Sequence, residues 1–327
     1  MKAGLIGLDA AVALLESGGL VAFPTETVYG LGARADNDTA VAGIFAAKGR
    51  PADHPLIVHI ASPEQANAFA AVWPPAAQRL AAAFWPGPLT LIVPRRADVA
   101  AAAAGGQASI GLRCPSHPVA QRLLSAALAA GVPGVAAPSA NRFGRVSPTR
   151  AEHVLAEFDG QVPVLDGGAS EVGIESVIVD CTSGVPALLR PGQLPRVQLE
   201  LALGQTLGRP DAASPRASGT LEKHYAPTAR VRLLGANALA AAATAGSGGG
   251  GPAGGVAVYS RVAFGAGWNF RRMPESADAV AHELFAVLRE FDTLGVAEVW
   301  VETPPSDDAR WDGVLDRLRR AAAAADA

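Results

Sequence analysis

Leu20-Val-Ala-Phe-Pro-Thr-Glu-Thr-Val-Tyr-Gly-Leu-Gly32 opens on four apolar residues and breaks at Pro24 into a polar cluster. The apolar run reads as a buried strand. Thr25, Glu26, Thr27 and Tyr29 fall within five positions, more polar groups than a turn needs, and Gly30 and Gly32 permit close backbone approach. In open α/β sheets, ligands gather where strands end. Working outward, a helix over Asp9–Ser17 precedes this strand and one over Asp38–Lys48 follows it, capped by Asn37 or Asp38. Leu56–Ile60, Leu89–Val93, Ser109–Arg113, Gly134–Ala137, Val162–Leu165, Ser176–Asp180 and Ala187–Arg190 read as strands. Ser62–Val72, Pro75–Phe84, His117–Ala130 and Arg150–Glu157 read as helices, the last capped by Thr149. Strands and helices in irregular order imply an α/β or α+β domain around a mixed sheet.

Composition limits the rest. At 327 residues, 50% apolar and 17% charged, the chain can build two cores and is not a disordered protein. No run of about 18 large apolar residues occurs, so no membrane span is expected. Two isolated cysteines, Cys114 and Cys181, cannot form a disulfide framework or a cysteine-rich zinc site, which points to a reducing cytoplasm. Residues 1–200 hold 14 basic and 16 acidic side chains, not the basic excess of a generic nucleic-acid binder. Only three lysines stand against 24 arginines, so Lys48 and Lys223 invite a role that arginine cannot fill.

The chain divides by composition into residues 1–203, a Gly/Pro/Ser/Arg-rich linker at 204–228, and a second α/β unit at 229–327. In the second unit Val231–Leu234, Val256–Tyr259 and Val296–Glu302 read as strands, and Ala277–Asp292 and Trp311–Ala325 as helices of a small Rossmann-like module. The glycine run at Gly246–Gly251 lacks a lysine and the strand-to-helix setting of a P-loop, and reads as a surface loop.

Several further stretches carry chemistry. Lys48-Gly-Arg-Pro-Ala-Asp-His-Pro-Leu56 puts Lys48 and Arg50 at a helix end, Lys48 at an exposed position, as dipole-satisfying cations or as a polyphosphate clamp. Arg113, ending a strand in Ser109-Ile-Gly-Leu-Arg-Cys-Pro115, needs an anionic partner: a substrate carboxylate or a protein acid. Cys114 reads as a buried thiol. Ser139, Asn141 and Ser147 offer hydroxyl and amide groups on loops, and Ser176 and Arg190 stand at strand ends. Histidine, cysteine and carboxylate spacings give no HExxH or CxxC motif, so a protein-held transition metal is not expected. The residues alone define an anion-binding, nucleotide-using α/β enzyme.

In order, PTETVYGLG, KxRP with a following PL, PGPLT (Pro86–Thr90), GLRxP, PSAN, SPT, ESVIVD and RPG resemble the YrdC-like family. The segment Lys223-His-Tyr-Ala-Pro227 and the trailing module resemble that family's long, two-domain form. The resemblance implies a twisted mixed sheet with helices around a deep groove, the linker crossing the groove mouth as a lid. It also implies condensation of L-threonine, bicarbonate and ATP to threonylcarbamoyl-adenylate and pyrophosphate, for modification of adenosine 37 of tRNA. ATP enters as substrate with Mg2+ held through its phosphates. The product passes to a tRNA threonylcarbamoyl-transferase complex, with tRNA contact weak or indirect. Thr27, His59, Arg113, Ala137 and Ser176 match the side that receives L-threonine and bicarbonate, Arg113 holding the carboxylate. Lys48 and Arg50 match the catalytic phosphate-binding pair. His54, Ser109, Ser139, Asn141, Ser147, Arg190 and Tyr225 match the nucleotide side; His54 stands where asparagine is common. Two other readings are a non-catalytic RNA-binding module of the same fold and a carbamoyl-adenylate enzyme, whose cysteine arrays this chain lacks.

Overall fold

A computed structural model describes residues 4–220, 224–245 and 255–324. The glycine run and Lys223 lie outside the described residues. The chain divides into two compact units, Met1–Phe143 with Ser147–Thr220, and Gly144–Val146 with Leu221–Ala327.

In the first unit the elements run β1 (Leu5–Ile6), α1 (Leu8–Glu16), β2 (Val21–Phe23), β3 (Gly30–Arg34), α2 (Asp38–Lys48), β4 (Ile57–His59), α3 (Pro75–Phe84), β5 (Leu89–Pro94), β6 (Ser109–Arg113), α4 (Pro118–Ala129), β7 (Val135–Ala136), α5 (Ala151–Glu157), β8 (Val164–Leu165), β9 (Val177–Asp180), β10 (Ala187–Arg190) and α6 (Arg196–Leu203). The strands join in one ten-stranded sheet, ordered β1-β8-β2-β3-β7-β4-β6-β5-β9-β10. It is mixed: β4 lies parallel to β6 and β5 parallel to β9, whereas β5 and β6 are antiparallel, as are β2 and β3. The parallel register sets His59 of β4 beside Arg113 of β6, and the β5–β9 register pairs Thr90 with Ile178, two residues beyond Ser176. The sheet topology thus gathers the candidate side chains of several motifs onto neighbouring strands.

Local chemistry explains the elements around the site. Asn37 caps α2 by accepting from the Ala40 N–H at 3.0 Å, and Gly49 closes it in the left-handed region at φ 62°. Ala40, Val41, Ile44 and Phe45 form the buried face of α2. β3 is a strand that the glycine-rich reading does not anticipate. Packing demands the second of its glycines: a Cβ on Gly32 would stand 2.7 Å from Val135 Cγ1 and 2.8 Å from Phe23 Cε1. Close approach thus explains Gly32, with β3 running on directly from the polar turn.

Three more elements differ from the sequence reading. Residues Pro63–Ala68 form a 3₁₀ helix with a Ser62–Gln65 capping box, shorter than the helix expected over Ser62–Val72. Helix α5 begins after Arg150, which occupies its N-cap, so Thr149 is not the cap; its backbone N–H instead meets His153 Nδ1 at 3.2 Å. α6 arises where composition begins to shift, because Leu199 and Leu203 bury against the core, joined by Leu207 beyond the helix.

The second unit holds β11 (Arg230–Leu234), α7 (Ala236–Ala245), β12 (Val256–Ser260), β13 (Asn269–Arg272), α8 (Ala277–Thr293), β14 (Glu298–Glu302) and α9 (Asp312–Ala323). Its four strands are all parallel, ordered β11-β14-β12-β13, as a Rossmann-like module requires. Among the described residues no helix is long and apolar enough to cross a membrane.

Gly32→Ala overpacks the β2–β3–β7 contact and is expected to destabilise the first unit by about 1–3 kcal/mol. Gly184→Ala, where nothing lies within 4 Å of the added methyl, should be near neutral. Urea unfolding of the two variants checks the contrast.

Candidate active site

The turn after β2 is built by its own hydroxyls. Thr25 Oγ1 accepts from the N–H groups of Thr27 and Val28, each at 3.2 Å, and donates to the Val28 carbonyl at 2.6 Å. Its one proton being spent there, the 2.8 Å contact between Thr25 Oγ1 and Thr27 Oγ1 has Thr27 as donor. Thr27 Oγ1 in turn accepts from Arg113 Nη1 at 2.8 Å. A directional chain therefore runs from Arg113 through Thr27 and Thr25 to the backbone, and it fixes the guanidinium. Arg113 Nε donates to the Gly87 carbonyl at 3.3 Å, and Nη2 lies 2.7 Å from Glu26 Oε1. Both alternatives for Arg113 are therefore open at this residue: a protein acid is paired with it, and its fork stands at a strand end.

His59 lies beside Arg113, buried, its ring edge-on to Phe23 at 5.8 Å. Burial, reinforced by the Arg113 charge, lowers its pKa to about 3, so it is a neutral imidazole near neutral pH. Ala137 continues from β7 and donates its N–H to the Ile57 carbonyl at 2.9 Å.

Lys48 is buried, not exposed at a helix end as the sequence suggests. Its Nζ donates to the Ser139 carbonyl at 2.6 Å and to the Asn141 carbonyl, while the Phe143 N–H returns to the Lys48 carbonyl at 2.9 Å. The loop carrying Pro-Ser-Ala-Asn has folded over the end of α2, which spacing along a single helix could not reveal. Arg50 donates to the Pro55 carbonyl at 3.2 Å and stands over the Phe143 ring, against which the half-buried His54 also tilts. Burial, with help from Arg50, lowers the His54 pKa. Lys48, Arg50, His54, Ser139 and Asn141 thus form one cationic corner.

Ser176 Oγ is 2.8 Å from Thr90 Oγ1, and Arg190 holds Ser176 by two bonds: its Nε donates to the Ser176 carbonyl and its Nη2 to Ser176 Oγ. Arg190 Nη1 also donates to the Ser218 carbonyl at 2.8 Å. Residues 216–218 therefore lie across this part of the sheet, with Arg216 paired to Asp53 at 3.0 Å and bonded to the Gly105 carbonyl. Together with Ser109, Thr90 and Ile178 they enclose a cavity of about 10 Å³, room for a single water. Ser147 donates to Glu175 in the interior. Tyr225 belongs to the second unit, where it is buried with φ 61°, stacked on Phe285 at 5.4 Å and under the Arg317 guanidinium.

Sequence reasoning left Glu26, Thr90, Glu175 and Arg216 out of the site. Glu26, Thr90 and Glu175 do stand inside quoted motifs; nothing in their spacing distinguishes a side chain that touches the candidate arginine or serine. Among the described residues no group of three or more His, Cys, Asp and Glu side chains could hold a metal ion.

A buried arginine fork, a neutral histidine and a cationic corner at the strand ends of a mixed α/β sheet mark a candidate enzyme site rich in fixed positive charge. Comparison with known proteins gives the family. The model of the Sua5, YciO and YrdC family, described as telomere recombination, matches residues 13–192, and the model of the threonylcarbamoyl-AMP synthase C-terminal domain matches residues 189–323. The threonylcarbamoyl-AMP synthase of Pyrococcus abyssi is 38% identical over 320 residues, covering 95% of this chain and 92% of the relative. That of Bacillus subtilis is 44% identical over 225 residues, 67% of this chain and 64% of the relative. The crystal structure of P. abyssi Sua5 complexed with L-threonine superposes with a TM-score of 0.87 at 36% identity, covering 97% of this chain and 94% of that one. The chain belongs to the Sua5, YciO and YrdC family, in its long two-domain threonylcarbamoyl-AMP synthase form. The resemblance drawn from the motifs is borne out, as is the mixed α/β sheet with a smaller second α/β unit that it implied.

Two predictions follow from burial. Lys48→Met removes charge-assisted bonds to two carbonyls and is expected to destabilise the first unit by about 1–3 kcal/mol, read as a lower urea midpoint; a purely ligand-binding lysine would leave the midpoint unchanged. His59 has a folded pKa below its unfolded value, so the unfolded state binds the extra proton between about pH 3 and 6.5. Stability should rise with pH across that window by up to about 1.4 kcal/mol per unit from this group, and His59→Gln should flatten the slope in urea titrations from pH 4 to 7.

Proposed function

We propose that this chain condenses L-threonine, bicarbonate and ATP into threonylcarbamoyl-AMP and pyrophosphate, and that the product serves threonylcarbamoyl transfer to adenosine 37 of tRNA by a separate enzyme complex. The observation that carries this reading is the buried, pre-oriented Arg113 fork, in a chain whose full-length relative is a threonylcarbamoyl-AMP synthase. Arg113 receives the amino-acid carboxylate, with Thr27 and neutral His59 beside it; Ala137 and Ser176 complete that side. Threonine's amine and bicarbonate give a carbamate and water, and a carbamate oxygen displaces pyrophosphate from the α-phosphorus. Such a step calls for positioning and charge neutralisation more than for a protein nucleophile. Lys48 and Arg50 face the phosphates, and His54, Ser109, Ser139, Asn141, Ser147, Arg190 and Tyr225 serve the nucleotide. Magnesium would arrive on the ATP phosphates and neutralise part of their charge. Residues 216–218 must shift for a nucleotide to enter beside Ser109, since a one-water cavity admits none. A shifted strap that returns would exclude water from a labile mixed anhydride. The free, buried thiols of Cys114 and Cys181 suit a reducing cytoplasm.

Pyrophosphate release from the purified protein with ATP and Mg2+ is expected only when both L-threonine and bicarbonate are present. Release that ignores threonine would overturn the reading in favour of simple nucleotide hydrolysis.

A further inference from the structure

Glu26 has no assigned part in this reaction, yet its placement is unusual. Its side chain is 3% exposed, and neither carboxylate oxygen accepts a well-directed hydrogen bond from any described residue. Its charge is met by Arg113, 2.7 Å from Oε1. A buried carboxylate normally fills its lone pairs, so one that leaves them open calls for an explanation. The backbone does not excuse it. The Glu26 carbonyl accepts from the Val172 N–H at 2.7 Å, and the Thr25 hydroxyl locks the turn on either side. The carboxylate is held in this position by design of the turn, directly beside the fork proposed to take a substrate carboxylate.

Were Glu26 only a counter-ion for Arg113, a monodentate pair with open oxygens would be a poor solution, costly in desolvation. Moreover, a substrate bearing only a carboxylate would bring a second negative charge against Glu26. A zwitterion changes the balance. An α-amino acid carries one carboxylate and, two bonds away, an ammonium with three donors. Arg113 and Glu26 carry the complementary charges side by side, both buried at the strand ends.

We propose that Glu26 is the ammonium-binding residue of this site, and that the Arg113–Glu26 pair selects a zwitterionic α-amino acid over a plain carboxylate. The inference rests on the reading of Arg113 given under the proposed function. Thr27 sets the guanidinium and Glu26 holds the ammonium. A site built to bond an N–H group rejects analogues lacking it strongly, because its buried acceptor is then left unpaired.

The test is calorimetric titration of the full chain with L-threonine and with 3-hydroxybutyrate, which is threonine without its amine. The wild-type protein is expected to bind L-threonine at least about 100-fold more tightly. Glu26→Gln is expected to lose about 10- to 100-fold for L-threonine while holding or gaining affinity for 3-hydroxybutyrate, with folding verified by its thermal transition. Equal wild-type affinity for the two ligands would overturn the proposal without any variant. Parallel loss of both ligands in folded Glu26→Gln would also overturn it, leaving Glu26 as a support for Arg113 alone. No wild-type binding of L-threonine would overturn the amino-acid site itself, and this proposal with it.

Discussion

The site depends on holding one guanidinium still inside a dry interior. Arg113 donates from Nε to the Gly87 carbonyl and from Nη1 to Thr27, and its Nη2 is ion-paired with Glu26, so its partners come from two separate turns. Gly87 follows α3; Thr27 and Glu26 follow β2; Arg113 itself ends β6. Strands β2 and β6 are separated in the sheet by β3, β7 and β4, so the sheet must be assembled before these groups meet. A buried cation with one partner missing is strongly destabilising. The fork is thus both a product of the fold and a demand upon it.

The same logic governs the cationic corner. Lys48 spends its ammonium on the carbonyls of the 139–141 loop, which keeps that loop against the end of α2 and brings Arg50, His54, Ser139 and Asn141 together. Lysine is suited to this where arginine is not: a compact charge with three rotatable donors can satisfy two converging carbonyls, whereas a planar fork would need a wider gap. The scarcity of lysine in the sequence has a physical reading here, since Lys48 meets a backbone geometry. Its contact with phosphate would then be made from a position already organised by those carbonyls.

Much of the site could be read from spacing, and the failures are instructive. Strands ending in His59, Arg113 and Arg190 were legible because their apolar runs are bounded by proline or polar residues. β3 was not, because Gly30, Gly32 and Ala33 lack strand propensity; its pairing with β2 on one side and β7 on the other overrides that preference. α6 was hidden because a short helix with two buried leucines begins amid proline and polar residues. Lys48 was placed at an exposed helix end because a helical period says which residue is last, not what folds over it. Motif matching reached Arg113 and Thr27 but passed over Glu26, paired with Arg113, because a glutamate in a polar turn has no signature until its burial is known.

Residues 216–218 extend the argument from binding to motion. Arg190 ties the Ser218 carbonyl to the Ser176 backbone, and Ala217 packs on Ile57, Ile92 and Ile178. This contact is small: one alanine side chain, a few hydrogen bonds, and an exposed Arg216–Asp53 pair worth little in water. A segment held that lightly opens at low cost. The strands beneath it are fully buried and change their arrangement only at high cost. On the proposed function, rigid strand ends beneath a weakly held strap would separate the two requirements of an adenylate-forming site: fixed charges for positioning, and a cover that can leave and return.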